Sequence, residues 1–268
     1  MENAGKEIEI SGLRIWFERK GAGPPLILLH GALSDSREWR RQLDGLSDDF
    51  TVVAWDAPGC GRSSDPPESF RLPDYADCLM AFIQEIGIER PHVLGLSFGS
   101  GLVLEFYRRY PAIPRKLVLA SAYAGWAGSL PPEVVDERLE MALNDSEKPP
   151  QQLVDAMIPS LFSGSASDEL IGEIVAIMSG FHPAGMRAMA RAFAEADLRD
   201  VLPYIDLPTL LLYGEDDKRS SLDIARQLHT SIPTSTLVVI PGVGHQMNME
   251  APEAFNVAVR DFLSSNHH

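Results

Sequence analysis

A serine set between two glycines, in Gly95-Leu96-Ser97-Phe98-Gly99, constrains this chain more than any other stretch. It stands where an apolar run, "HVLGLS", gives way to a segment with Leu102, Val103 and Phe106 at helical spacing. The backbone must therefore turn hard from strand into helix at Ser97. Glycines two residues to either side remove the Cβ atoms that would hold strand and helix apart, while the turn keeps the serine in a sparsely allowed region. A serine presented at a strand end, against a helix N-terminus that favours negative charge, is the arrangement of a G-x-S-x-G nucleophile elbow. The pentapeptide alone also arises by chance, so its meaning depends on what the rest of the chain brings to it.

The remaining pattern predicts an α/β fold. "EIEI" and "LRIWFE" read as an antiparallel hairpin, and "PLILLHG", "TVVAWD", "HVLGLS", "KLVLASA", "TLLLYG" and "TLVVIPG" as buried strands bounded by glycine and proline. Helical segments alternate with them; Tyr75, Leu79, Phe82, Ile83 and Ile86, three and four residues apart, make one apolar stripe. Together these imply a mostly parallel eight-stranded sheet with helices on both faces. The rhythm breaks between Ser121 and Leu207, where no strand candidate occurs. Leu170, Ile174, Ile177 and Met178 there mark one helix, and Pro183 opens another. We expect residues 1–125 and 205–268 to form the core and residues 126–204 an inserted helical cap over the substrate pocket. A helical subdomain of purely structural duty is the plainer alternative.

A chain of 268 residues with 45% hydrophobic and 23% charged residues has the composition of a soluble globular protein. Its formal net charge of −15 repels phosphate backbones and anionic membrane surfaces, so neither nucleic acid nor membrane is expected as a partner. A small-molecule substrate is, with the protein a monomer or homodimer. The opening "MENAGKEIEI" has no basic and apolar leader, which makes cytoplasmic residence the simplest expectation. Cys60 and Cys78 show no ligand spacing, so neither a disulfide scaffold nor a metal site is expected. His267 and His268 read as a tag remnant.

Three further loops supply the partners that Ser97 needs. "LLHGALSDSREW" follows a buried strand and would aim the N–H of Ala32 at the same point as the N–H of Phe98, two donors for an oxyanion; Leu33 is the second choice. His30 in that loop is expected to pack and to satisfy a neighbouring carbonyl. "LLYGEDDKRS" ends a strand with three carboxylates, of which Asp217 is the chosen acid, while Glu215 and Asp216 are the alternatives. "VIPGVGHQMNMEAP" ends the next strand with His245. Strand ends along one edge of a parallel sheet converge, and serine, acid, histidine is the chain order that accompanies this motif. The loop "LASAYAGWAG", the other place for an acid, contains no carboxylate. His92, His182 and His229 lack such convergence and are read as structural. So is Cys60 in "WDAPGCGRSSDPP", a stretch that completes no phosphate-loop motif. Trp126 and Met247 are candidates to line the pocket, and Arg138, Arg187 and Arg191 to meet a substrate carboxylate.

With "LLHGALSDSREW", "VVAWDAPGCGRSSDPP", "GLSFGS", "LLLYGEDD" and "PGVGHQMNMEAPEAF" in that order, the chain resembles the α/β-hydrolase fold family over nearly its whole length. Serine at the elbow is similar to the esterase, lactonase and carbon–carbon hydrolase branches and unlike those with aspartate there. The segment "HPAGMRAMARAFAEADLRDVLPYIDLPTLLLYGEDD" is similar to 3-oxoadipate enol-lactonases. The resemblance implies a cofactor-free, metal-free hydrolase of a carboxylic ester or lactone, with Ser97, Asp217 and His245 as a triad. It also leaves room for a carbon–carbon bond hydrolase, a cofactor-free peroxidase or oxygenase, and a slow-turnover small-molecule receptor.

Overall fold

Eight strands lie in one sheet in the order β1-β2-β4-β3-β5-β6-β7-β8, in a computed structural model that describes residues 5–265. They are β1 (Lys6–Ile10), β2 (Leu13–Lys20), β3 (Pro25–Leu29), β4 (Thr51–Trp55), β5 (His92–Leu96), β6 (Leu117–Ala120), β7 (Thr209–Gly214) and β8 (Ser235–Ile240). The pair β1 and β2 is the expected hairpin, closed by Ser11 and Gly12 at φ 50° and 83°, the two positive values that a tight hairpin turn demands. β2 runs antiparallel to β4, and β3 to β8 are mutually parallel. His267 and His268 lie outside the described residues.

The period of two along each strand divides the core. Val93, Leu119 and Leu211 face one side, with Phe82 of α2 (Leu72–Glu85), Phe106 of α3 (Phe98–Arg109) and Leu228 of α8 (Leu222–Ser231). Leu94, Val118 and Leu210 face the other, with Leu43 of α1 (Arg40–Leu46) and Phe255 and Val259 of α10 (Pro252–Ser264). With both faces covered, near-continuous apolar strands are what burial requires.

The chain moves outward from β3 to β4 and then returns to lay β5 on the opposite side of β3. Such a reversal leaves a crevice beyond the carboxyl ends of the two strands, the place where open parallel sheets bind ligands. Here those ends are the loop starting at His30 and the turn at Ser97.

Four helices lie between β6 and β7: α4 (Pro132–Asp145), α5 (Pro150–Leu161), α6 (Asp168–Met178) and α7 (Pro183–Glu195). Prolines open three of them at the first turn, where no N–H is needed, and the Ser167 hydroxyl accepts the Leu170 N–H to start α6. The four do not pack as one body. Val154, Leu161, Ile174 and Ile177 of α5 and α6 form a cluster of their own that closes over Leu33. Met189, Ala192 and Phe193 of α7 belong instead to the main core. α7 gets that close because Gly185 rests against Gly59: a Cβ on either would strike the other's backbone. Among the described residues no helix is long and apolar enough to cross a membrane.

Candidate active site

Ser97 is held at φ 53° and ψ −111°, a strained conformation for a residue with a Cβ. The glycines show why the strain persists. A Cβ on Gly95 would run into the Gly99 carbonyl, and one on Gly99 into the carbonyl of Leu29, so strand β5, helix α3 and strand β3 meet backbone to backbone. The Ser97 N–H donates to the Ala120 carbonyl at 2.9 Å, and the Ser97 carbonyl accepts from the Ser100 N–H at 2.9 Å. Among the described residues the half-buried Ser97 side chain has no hydrogen-bond partner, and its Cβ would stand 3.8 Å from a Cβ on Gly31.

The loop facing it is locked from behind by buried polar groups. His30 donates from Nδ1 to the Gly31 carbonyl at 2.7 Å and accepts the Ala57 N–H on Nε2 at 2.9 Å, which fixes a neutral ring. Burial lowers its pKa and so favours the same form. The Gly31 N–H donates to Glu38 Oε1 at 3.1 Å. Burial pushes the Glu38 carboxyl up to about 8. Among the described residues the N–H groups of Ala32 and Phe98 donate to no protein acceptor, and both residues line one cavity.

At the next strand ends Asp217 and His245 meet. Nδ1 of His245 donates to Asp217 Oδ1 and Oδ2 at 3.0 and 2.9 Å, with both side chains buried. Asp217 Oδ1 also accepts the backbone N–H groups of Arg219 and Ser220 at 2.8 and 2.9 Å. Burial works to raise the Asp217 pKa, but the His245 charge and these hydrogen bonds outweigh it and hold the carboxyl below its ordinary value. The other two carboxylates are engaged elsewhere: Glu215 is exposed and accepts the Gly242 N–H at 3.1 Å, and Asp216 points to solvent.

β6 joins the serine turn to the histidine loop. Ala120 holds the Ser97 N–H, and the next residue, Ser121, donates its hydroxyl to the His245 carbonyl at 3.1 Å. The inserted helices clamp the same loop, since Gln246 donates to the Leu161 carbonyl at 3.0 Å, and Glu250 accepts from Gly244 at 2.8 Å and from Ser163. A Cβ on Gly244 would lie 2.7 Å from the Phe162 carbonyl carbon, so the contact admits no other residue without a shift.

A cavity of about 120 Å³ opens beside Ala32 and Phe98. Its walls are mainly apolar, with Leu33, Trp126, Met157, Met186, Met189 and Phe193 among them. The Trp126 ring packs at a tilt 5.7 Å from Phe193, which lies 5.5 Å from Phe98, so one aromatic cluster backs the wall. Met247 does not line it. Its side chain is fully buried in the opposite core layer with Trp39 and Phe255, because the short α9 (Met247–Glu250) turns that residue inward under the sheet. Of the three arginines singled out from sequence, Arg138 lines the cavity, Arg187 pairs with Glu68 at 2.8 Å outside it, and Arg191 does not reach it. Two residues that bear on the site went unmarked by sequence reasoning. Arg219 follows the acid by two positions, and Glu38 sits eight past His30; each stood inside a quoted loop, but a lone charge there carries no sign of burial.

A family model described as the alpha/beta hydrolase fold matches residues 24–252. The chain belongs to the alpha/beta hydrolase fold family. Among family members, the (E)-2-((N-methylformamido)methylene)succinate hydrolase of Acinetobacter baylyi is 26% identical over 267 residues, 97% of this chain and 98% of that one. A thermophilic esterase from Thermogutta terrifontis, solved with malate bound, is 30% identical, superposes with a TM-score of 0.89 and covers 98% of each chain. The enol-lactonase from Burkholderia xenovorans LB400 is 23% identical, with a TM-score of 0.89 over 97% of this chain and all of its own, and shares the fold. This alpha/beta hydrolase is thus similar to hydrolases along nearly its full length.

Proposed function

We propose that the chain is a serine hydrolase of small carboxylic esters or lactones that works through an acyl-enzyme on Ser97. The observation that carries this reading is the buried Asp217–His245 pair, tied by β6 to a strained serine beside two unused backbone donors. Asp217 accepts the hydrogen bond from Nδ1–H of His245, which keeps the proton on Nδ1 and leaves the lone pair of Nε2 for the Ser97 hydroxyl. His245 accepts that proton as Ser97 attacks the carbonyl, then delivers it to the leaving alcohol; the negative charge Asp217 keeps at neutral pH stabilises the imidazolium between the two steps. The N–H groups of Ala32 and Phe98 receive the oxyanion, each contributing about 2.7–4 kcal/mol to the transition state. Water then resolves the acyl-enzyme by the same route in reverse. In the free protein the His245 ring bonds only Asp217 among the described residues; on this reading its hydrogen bond with Ser97 forms when substrate binds. Residues 126–204 serve as the cap, since Trp126, Arg138 and Phe193 come from them.

The test is labelling with a fluorophosphonate followed by a panel of esters, lactones and diketones. Modification of the Ser97 peptide, abolished by His245→Ala, is the expected result. Ester turnover that persists in Ser97→Ala would overturn the reading.

A further inference from the structure

Two arginines line the apolar cavity, and among the described residues neither forms an ion pair. Elsewhere on the inserted helices the pattern is different: Arg187 meets Glu68 at 2.8 Å and Glu173 meets Arg41 at 2.7 Å. Arg138 rises from α4 with its guanidinium carbon 5.8 Å from the ring centroids of both Tyr123 and Trp126. Its two hydrogen bonds are long, 3.3 Å to the Tyr123 hydroxyl and 3.4 Å to the Arg219 carbonyl. Arg219 extends from the loop after β7, where Nη1 donates to Ser160 Oγ at 2.9 Å. A guanidinium has five donors, so most of those on both residues stand without a protein acceptor.

No acid within the cavity offsets these charges. Asp145, the one carboxylate in its wall, is paired with Lys148 at 2.6 Å. From Arg219, Asp217 accepts the backbone N–H and not the guanidinium, and its carboxylate is engaged by His245. Burial above all draws the Arg219 guanidinium below its ordinary pKa; Tyr123 and Asp217 pull the other way, and the like charge of Arg138 adds to the effect of burial. Desolvation without a matching acid is costly for the Arg219 guanidinium, with the Arg138 charge beside it, and an anion arriving from solvent offsets that cost.

We infer that the cavity selects substrates bearing a carboxylate remote from the carbonyl that Ser97 attacks, and that Arg138 and Arg219 hold that carboxylate. The aromatic faces of Tyr123 and Trp126 keep the Arg138 fork in place, which lowers the ordering cost of binding. The reacting end of such a substrate rests on the serine-hydrolase reading; the anion site does not. A merely structural Arg219, holding Ser160 to position α5, would affect neutral and anionic substrates alike.

The experiment compares 4-nitrophenyl hydrogen succinate with 4-nitrophenyl butyrate, and measures glutarate binding to Ser97→Ala by calorimetry against neutral 1,5-pentanediol. Arg138→Gln and Arg219→Gln should each lower the ratio of kcat/KM for the anionic over the neutral ester by about 10- to 100-fold, the range for one charge-assisted contact. Glutarate binding should vanish when Arg138→Gln is added to Ser97→Ala. A ratio that neither substitution moves, or glutarate binding no tighter than the diol, would sink the inference. Arg138 is half-exposed on a helix, so its variant folds and gives the readout even where Arg219→Gln does not. Arginine-dependent glutarate binding with no ester turnover would refute the serine mechanism and keep the anion site. Ser97-dependent turnover that prefers the neutral ester, with no glutarate binding, would do the reverse.

Discussion

The strand-end loops and the inserted helices meet at one cavity but are held by different forces. At the strand ends, backbone lies against backbone: Gly99 on Leu29, Gly95 on Gly99, Gly214 on Val243 and Gly244, with buried hydrogen bonds filling the gaps. The helix α4 buries only Val135 and Asp145 of its 14 residues, and ion pairs at half-exposed sites such as Arg41–Glu173 tie its neighbours down. Close-packed backbone gives no slack, whereas half-exposed helices shift at small cost. On the proposed mechanism, the reacting groups therefore sit where angstrom errors are suppressed, and the groups that would meet the rest of a substrate sit where sequence change is cheap.

The largest test of that contrast is Ser97→Ala, which should lower turnover by roughly 10⁴–10⁶ while the thermal midpoint stays near its original value. Steady-state kinetics beside a melting curve checks both halves at once. Asp217→Asn should cost about 10⁴ in kcat by spoiling the His245 tautomer, whereas Asp216→Asn, on the same loop but exposed, should cost less than about threefold. The reverse ranking would move the acid to the neighbouring carboxylate.

Glu38 sharpens the comparison through pH. Its folded pKa, near 8, lies above the ordinary 4.5, so the folded state holds a proton that the unfolded chain has lost between those values. Stability must fall as pH rises from about 4.5 to 8, by on the order of 5 kcal/mol, and the loss is complete above 8. Glu38→Gln should flatten that part of the profile, read as denaturant midpoints from pH 4 to 9. An unchanged slope would mean that the carboxyl is ionised in the fold.

Two alanine substitutions give the smallest effects and the cleanest opposition. Gly99→Ala puts a Cβ into the Leu29 carbonyl and should destabilise by about 3 kcal/mol. Gly172→Ala in α6 meets nothing within 4 Å and should stabilise by about 0.5–1 kcal/mol through helix propensity. Equal signs in urea unfolding would erase the difference drawn between the two regions.

The eight strands, the first hairpin and the two-faced packing were legible because short apolar runs bounded by glycine and proline, and helical stripes between them, stand in the residues themselves. Ser97 was legible for a related reason: only glycine tolerates the approach that its turn requires. Asp217 and His245 were readable as candidates from their places after consecutive strands, and the fold joins them at 2.9 Å. Met247 was misread, since being next to His245 in sequence says nothing about which side of a short helix faces the core.

By itself, then, the chain's order of residues determined local conformation and the edge of the sheet on which its chemistry gathers. Tertiary structure alone decided that Arg138 and Arg219, 81 positions apart, share one apolar cavity with no acid to match them, and that Glu38 is buried behind the Gly31 loop. The reason is physical: periodicity is written in neighbours along the chain, but pairing, desolvation and the shape of a cavity depend on neighbours in space.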